Sequence, residues 1–354
     1  MYRLSLKSAG NALICAQRKC KKGVGAIALL NVGRVALSVA ALSFGCAAFS
    51  PAQSASPTVG GCPVFPADHI WNTPVDKMPV DPRSQQYITT IGADKPLRAD
   101  FGSGLYEGAP IGIPFVVVPM NQPKVAINFR AFEDEEPAID ESDSGPYPIP
   151  RNAPIEGGPD SKDDRHVIVV QEGSCTLFEI YKAVPDADGS WSTVGSAKFD
   201  LEGHELRKDT WTSADAAGLP IFPGLVRAEE IAAGEIRHAL RFTVPRTRKA
   251  YVWPARHAAS RSTDEALPPL GQRFRLRADF DISGFSKTNQ IILRALKTYG
   301  MMLADNGSAW FLNGAPHPDW NDDELRELRK VLGSDFEAVD VSSMMVDADS
   351  GETK

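Results

Sequence analysis

The stretch His166-Val167-Ile168-Val169-Val170-Gln171-Glu172-Gly173-Ser174-Cys175-Thr176-Leu177-Phe178-Glu179-Ile180-Tyr181 reads as two strands joined by a tight turn. β-Branched and aromatic side chains fill it, and these suit a pleated, half-buried surface. Taking Glu172-Gly173 as a two-residue hairpin loop pairs Val170 with Cys175, Ile168 with Leu177 and His166 with Glu179. Opposing residues of an antiparallel pair share a face, and Tyr181 falls next on it. A His opposite a Glu is a general base or acid with its orienting partner.

The same composition recurs at 115–119, 125–129, 191–201, 236–244, 251–257 and 274–280, each bounded by Gly, Pro or Asp. Asp188-Gly189 is a further hairpin signal. Many short strands with frequent turns predict a mainly β fold, an antiparallel β-sandwich or jelly roll. A few helices cover it. Ile292, Ala295, Leu296 and Tyr299 follow amphipathic helix spacing, with Gly300 as the stop. Leu325, Leu328 and Leu332 repeat the pattern between a capping Asn321 and a terminating Gly333.

A second hairpin is expected from 236–244 and 251–257. Ile236, His238, Leu240 and Phe242 alternate on one strand, and Tyr251, Trp253, Ala255 and His257 on the other. Pairing Val244 with Tyr251 sets Phe242 opposite Trp253 and His238 opposite His257. Extracellular sugar sites combine aromatic platforms with a few orienting polar groups. The catalytic candidates are therefore His166, Glu179, Tyr181, His238 and His257. The substrate-binding candidates are Tyr251, Trp253, Arg256 and Asp305. Arg273, Arg275 and Arg277 alternate with apolar neighbours, either as a solvated outer face or as forks for an acidic polysaccharide.

Upstream lies an export signal. Residues 1–54 carry Arg3, Lys7, Arg18, Lys19, Lys21, Lys22 and Arg34, then an apolar run from Val35 to Ala48, and no Asp or Glu. The run is about 14 residues, against roughly 20 for a membrane span. Ala52-Gln53-Ser54 offers a cleavage site, whereas Ser43-Phe44-Gly45-Cys46 resembles a lipobox that would lipidate Cys46. A membrane partner is expected only in that second case; otherwise the protein is secreted or periplasmic. The remainder reads as one domain over 61–340 and a disordered tail at 341–354.

Without the signal, 31 basic face 45 acidic groups, a net charge of −14. Such a surface repels phosphate backbones, which excludes a nucleic-acid partner. Cys62 and Cys175 are the two cysteines left, and outside the cytoplasm they most simply form one disulfide, the alternative being two buried thiols. The chain has no His-Glu-x-x-His, no Gly-x-Ser-x-Gly elbow and no phosphate loop. No cofactor is expected. Calcium on the acidic segment 133–143, or zinc on a His/His/Glu set, is chemically feasible, but no motif supports either.

Gly61-Cys62-Pro63-Val64-Phe65-Pro66, Ile70-Trp71-Asn72-Thr73-Pro74, Gly218-Leu219-Pro220-Ile221-Phe222-Pro223-Gly224, His238-Ala239-Leu240-Arg241-Phe242 and Leu303-Ala304-Asp305-Asn306-Gly307 resemble a group of secreted bacterial proteins of uncharacterised function. The resemblance implies a shared fold and export and carries over no catalytic residue. The expected function is a secreted carbohydrate-active enzyme, a polysaccharide lyase or glycoside hydrolase acting on an extracellular polysaccharide or glycan. The rival is a non-catalytic glycan-binding or cell-envelope protein.

Overall fold

The computed structural model describes residues 56–133 and 135–354. The segment 1–54 read as an export signal, Cys46 included, lies outside the described residues. Twelve strands carry the architecture: β1 Arg98–Asp100, β2 Phe115–Val118, β3 Ile127–Phe129, β4 Val167–Gln171, β5 Thr176–Tyr181, β6 Trp191–Thr193, β7 Gly195–Asp200, β8 Leu240–Val244, β9 Arg273–Leu276, β10 Met301–Asn306, β11 Phe311–Asn313 and β12 Phe336–Val339. A six-stranded sheet runs β12-β9-β10-β8-β11-β1, and a four-stranded sheet runs β7-β5-β4-β2. A smaller sheet joins β6 to β3. The protein is β-rich, as the alternation predicts.

The pairing is mixed rather than purely antiparallel. β8 runs parallel to β10, β11 to β1, β2 to β4 and β6 to β3. Parallel neighbours need a crossover rather than a hairpin. The strand β10 that neighbours β8 follows a long excursion that includes β9 and the helix Lys287–Thr298.

Burial explains why Val167-Ile168-Val169-Val170 is apolar without a break. Ile168, Val170, Leu177 and Phe199 point into the core shared with Leu240, Phe242, Leu303 and Leu312 of the large sheet. Val167, Val169, Phe178 and Ile180 point the other way, onto Trp191 and Tyr147. A sheet covered on both faces reads as a continuous hydrophobic run. In the large sheet, Trp310 stacks on Phe242 at 5.7 Å and on Phe336 at 5.3 Å, with the edge of Phe274 against it.

The helix over Lys287–Thr298 forms as its spacing predicts. Ser286 caps it by accepting from the Asn289 N–H, and Ile292, Ala295 and Leu296 are buried. Gly300 stops the helix with φ 67°, and a β-carbon there would meet the Phe274 carbonyl at 2.2 Å. The Asn321-capped helix is shorter than its leucine spacing suggests, Asp322–Arg326 followed by a 3-10 turn at Glu327–Lys330.

Residues 341–354 are not a loose tail. Val341 and Met344 pack with Ile70 and Val75. The Gly351 carbonyl accepts from the Ile70 N–H at 2.8 Å, and Glu352 bridges His69. Polar composition suggested disorder, but backbone pairing with residues near the start of the domain and the buried side chains of Val341, Met344 and Thr353 fix the segment. Among the described residues, no helix is long and apolar enough to cross a membrane.

Cys62 and Cys175 form the expected disulfide, with Cα atoms 5.2 Å apart across a separation of 113 residues. Closing so long a loop removes roughly 4–5 kcal/mol of freedom from the unfolded chain. A Cys62→Ser/Cys175→Ser variant is expected to unfold at clearly lower urea with an unchanged native near-UV spectrum. An unaltered midpoint would show that the crosslink does not constrain the unfolded state.

Candidate functional site

The register of the first hairpin differs from expectation by two residues. Gln171 pairs with Thr176 and Ile168 with Glu179, leaving Glu172 to Cys175 as the turn. Cys175 has φ 45°, a left-handed conformation that removes it from the strand. A two-residue shift preserves the face, because side chains alternate with period two. His166, just outside β4, therefore still lies beside Tyr181, with ring centroids 5.5 Å apart, although it is not opposite Glu179.

Glu179 is fully buried and has a structural position. Both its oxygens accept from the Ile221 N–H at 3.0 Å, and one also accepts from the Phe222 N–H at 2.9 Å. The carboxyl thus seats the 3-10 turn Phe222–Gly224, the heart of the Gly218–Gly224 segment. Burial pushes its pKa up to about 7 against the pull of those amides.

His166 is also buried, its Nδ1 2.5 Å from Glu156 Oε2 and its Nε2 2.9 Å from the Ala214 carbonyl. Burial opposes charge on this ring, but Glu156 outweighs it and lifts the pKa to about 9. Tyr181 donates to Glu135 Oε1 at 3.1 Å. Burial and the nearby Asp164 and Glu135 raise its phenol well above the usual range, so it is a poor base.

These groups border a cleft of about 390 Å³ whose wall includes Glu135, Glu136, Asp164, Tyr181, Asp215, His257 and Asp305. Arg241, on β8, lies buried behind this wall and pairs with two of its carboxyls. Its Nε donates to Asp215 Oδ2 at 3.0 Å, its Nη2 to Asp215 Oδ1 at 3.2 Å, and its Nη1 to Asn313 Oδ1 at 2.5 Å. Asp305, near the end of β10, lies 3.6 Å from Arg241 and is 27% exposed. Burial, then the Asp215 carboxylate, push the Asp305 carboxyl well above the usual carboxylate range despite Arg241. His257 donates from Nδ1 to the Ala216 carbonyl at 2.8 Å.

The remaining candidates lie elsewhere. The second hairpin does not form: β8 pairs with β10 and β11, and Tyr251 makes one isolated bridge to Leu270. His238 is buried away from His257, with Nε2 2.9 Å from Glu230 and Nδ1 2.8 Å from the Ala239 carbonyl. Trp253 donates to the Ser350 carbonyl at 2.8 Å, and Tyr251 to Asp209 at 2.8 Å. Arg256 binds the Ala348 carbonyl at 2.7 Å and the Asp349 carboxylate. The arginine stripe is structural at its inner end, where Arg273 donates to the Tyr299 and Ile70 carbonyls. Arg275 holds Glu337 and the Val75 and Met78 carbonyls.

Of the predicted residues, Tyr181, His257 and Asp305 line the cleft, with His166 and Glu179 behind it. Sequence reasoning missed Asp215, Glu156 and Asp164, which sit in Pro/Gly/Asp-rich loops with no periodicity to flag them; Glu135 falls in the acidic segment 133–143 and Arg241 in the His238–Phe242 segment, but neither was assigned to this cleft. No family model, curated protein or solved structure matches the chain.

The raised Glu179 pKa makes a signed prediction. A carboxyl whose pKa rises from 4.5 unfolded to about 7 folded contributes stability below pH 4.5 that is lost as pH rises to about 7. Relative to Glu179→Gln, wild type should lose stability steadily across that interval and run parallel above it, in urea titrations at each pH. A flat difference would show that the amides keep Glu179 ionised. Asp215→Asn, which leaves Arg241 buried against a neutral partner, should cost about 3–5 kcal/mol in the same assay.

Proposed function

We propose that the chain is a secreted glycoside hydrolase, with two stacked sheets acting as a sandwich-like frame for an acidic cleft. The observation that carries this reading is the position of Asp305: a carboxyl biased toward its protonated form, reaching a cleft walled by further carboxylates. Glycoside hydrolysis needs such an asymmetric pair, one carboxyl that donates a proton to the leaving oxygen and one carboxylate that acts as base or nucleophile. Asp305 takes the acid role. Glu135, which accepts from Tyr181 and lies 3.3 Å from Lys182, takes the second. Tyr181 supplies the aromatic surface of the cleft, and His257 a hydrogen-bonding group.

Charge favours a hydrolase over a lyase. A lyase acting on uronates needs cations to neutralise the substrate carboxylate, whereas Arg241 is already engaged by Asp215. Glu135, Glu136 and Asp164 would repel an anionic sugar. The substrate is a neutral or amino-bearing glycan. The disulfide supports an extracytoplasmic setting, where such bonds persist.

A screen of neutral and uronate polysaccharides for released reducing ends tests the proposal. Asp305→Asn should lower kcat by about 10²–10⁴ with an unchanged fold, since proton transfer contributes that much. His257→Ala should mainly raise KM. Release of unsaturated products would indicate a lyase, and glycan binding without turnover that survives Asp305→Asn would favour the non-catalytic alternative.

A further inference from the structure

Beside the cleft, Glu156, Asp164 and His166 each offer a ligand atom, and these atoms lie within 4.8 Å of one another. The geometry of the histidine is informative. Its Nε2 is 2.9 Å from the Ala214 carbonyl, and a carbonyl only accepts, so that nitrogen carries hydrogen. The other nitrogen, Nδ1, is aimed at Glu156 Oε2 at 2.5 Å. In a neutral imidazole this nitrogen is a bare lone pair, and a lone pair facing a carboxylate oxygen is repulsive. A cation must settle the contact, either a proton on Nδ1 or a metal ion drawn between the two groups.

We propose that Glu156, Asp164 and His166 bind one divalent transition-metal ion at the wall of the cleft. The proposal goes beyond the glycan reading and does not depend on it. An imidazole nitrogen with two carboxylates suits zinc or manganese better than calcium, which takes oxygen ligands. The Ala214 carbonyl supplies the outer contact that fixes the tautomer and aims a ligating histidine.

The ring is locked, being 3% exposed, while the carboxylates can adjust: the Glu156 and Asp164 side chains are 23% and 54% exposed. Metal bonds of about 2.0–2.2 Å at tetrahedral angles set ligand atoms roughly 3.3–3.6 Å apart, so Glu156 would retreat by about 1 Å. Lys182, 3.9 Å from Asp164, is the nearest competing cation, and it lies closer to Glu135 at 3.3 Å. Three protein ligands leave a coordination position open, as in sites where a metal holds water or substrate. Of the three, Asp164 lines the cleft.

The test is zinc titration of the chelator-treated protein against a chromophoric competitor, with the visible spectrum of the cobalt(II) form as a second readout. Wild type should take up one equivalent of zinc, and its cobalt form should show ligand-field bands of mixed nitrogen and oxygen coordination. Asp164→Asn, a change at an exposed side chain, and Glu156→Gln should each weaken zinc at least about tenfold and alter the cobalt bands. Asp94→Asn, a distant exposed carboxylate, should leave both unchanged. Near-UV circular dichroism establishes that each variant keeps its fold. Absence of stoichiometric uptake by wild type, or zinc affinity equal in wild type, Asp164→Asn and Glu156→Gln, would overturn the site. Neither readout involves glycan turnover, so this outcome is separable from failure of the hydrolase reading.

Discussion

Arg241 is the constraint on which the rest of the cleft depends. A guanidinium 3% exposed loses most of its hydration, and only close, well-aligned partners offset that loss. Asp215 supplies a two-point contact, Asn313 a third, and Asn313 in turn donates to Asp100 at 3.3 Å. This polar chain crosses β8, β11 and β1, so it ties one half of the large sheet to the loop carrying Asp215. The same loop is fixed again at Ile221 and Phe222, whose amides converge on Glu179 of the smaller sheet. Gly224 permits the close approach: a β-carbon there would meet Arg241 Cβ at 2.7 Å and the Trp71 ring at 2.9 Å. Two buried carboxyls thus hold this segment: its own Asp215 to Arg241 of the six-stranded sheet, and Glu179 of the four-stranded sheet to its Ile221 and Phe222 amides.

How much of this was legible in the sequence follows from what period-two patterns encode. Alternation specifies faces, and the faces were right: His166, Glu179 and Tyr181 lie on one side of the small sheet although the register slipped by two. The slip itself was invisible because Cys175, apparently a strand residue, adopts a left-handed backbone beside its disulfide. The second hairpin failed for a different reason. Strand β8 alternates because it is central, and its partners 301–306 and 311–313 lie far along the chain. Nothing local distinguishes a central strand from one arm of a hairpin.

The site was harder to read than the fold. Asp305-Asn306-Gly307 has turn composition, yet Asp305 and Asn306 complete β10 and bring a carboxyl to Arg241. Asp215, Glu156 and Asp164 come from loops whose partners, Arg241, His166 and Lys182, lie 26, 10 and 18 positions away. Aromatic residues misled in the opposite direction. Trp253 and Tyr251 resemble a sugar platform in sequence, but the hydrogen bonds they make, to Ser350 and Asp209, serve packing of the C-terminal segment and a surface loop.

The crowding of carboxyls around one opening links the two proposals. Like charges this close cannot all ionise without compensation. Asp215 has Arg241, Glu135 has Lys182 and the Tyr181 hydroxyl, and Glu156 has His166. Asp305 is buried beside the Asp215 carboxylate and lies 3.6 Å from an arginine already shared, so burial and then Asp215 outweigh Arg241 and favour its proton. Asp164 contributes to that bias through its own negative charge. A dication bound by Asp164, Glu156 and His166 would reverse the local field and favour the ionised form of Asp305. An empty site favours Asp305 as an acid, and a loaded one favours it as a carboxylate. Metal binding at this cluster and protonation of Asp305 would therefore draw on the same electrostatic balance, each shifting the other.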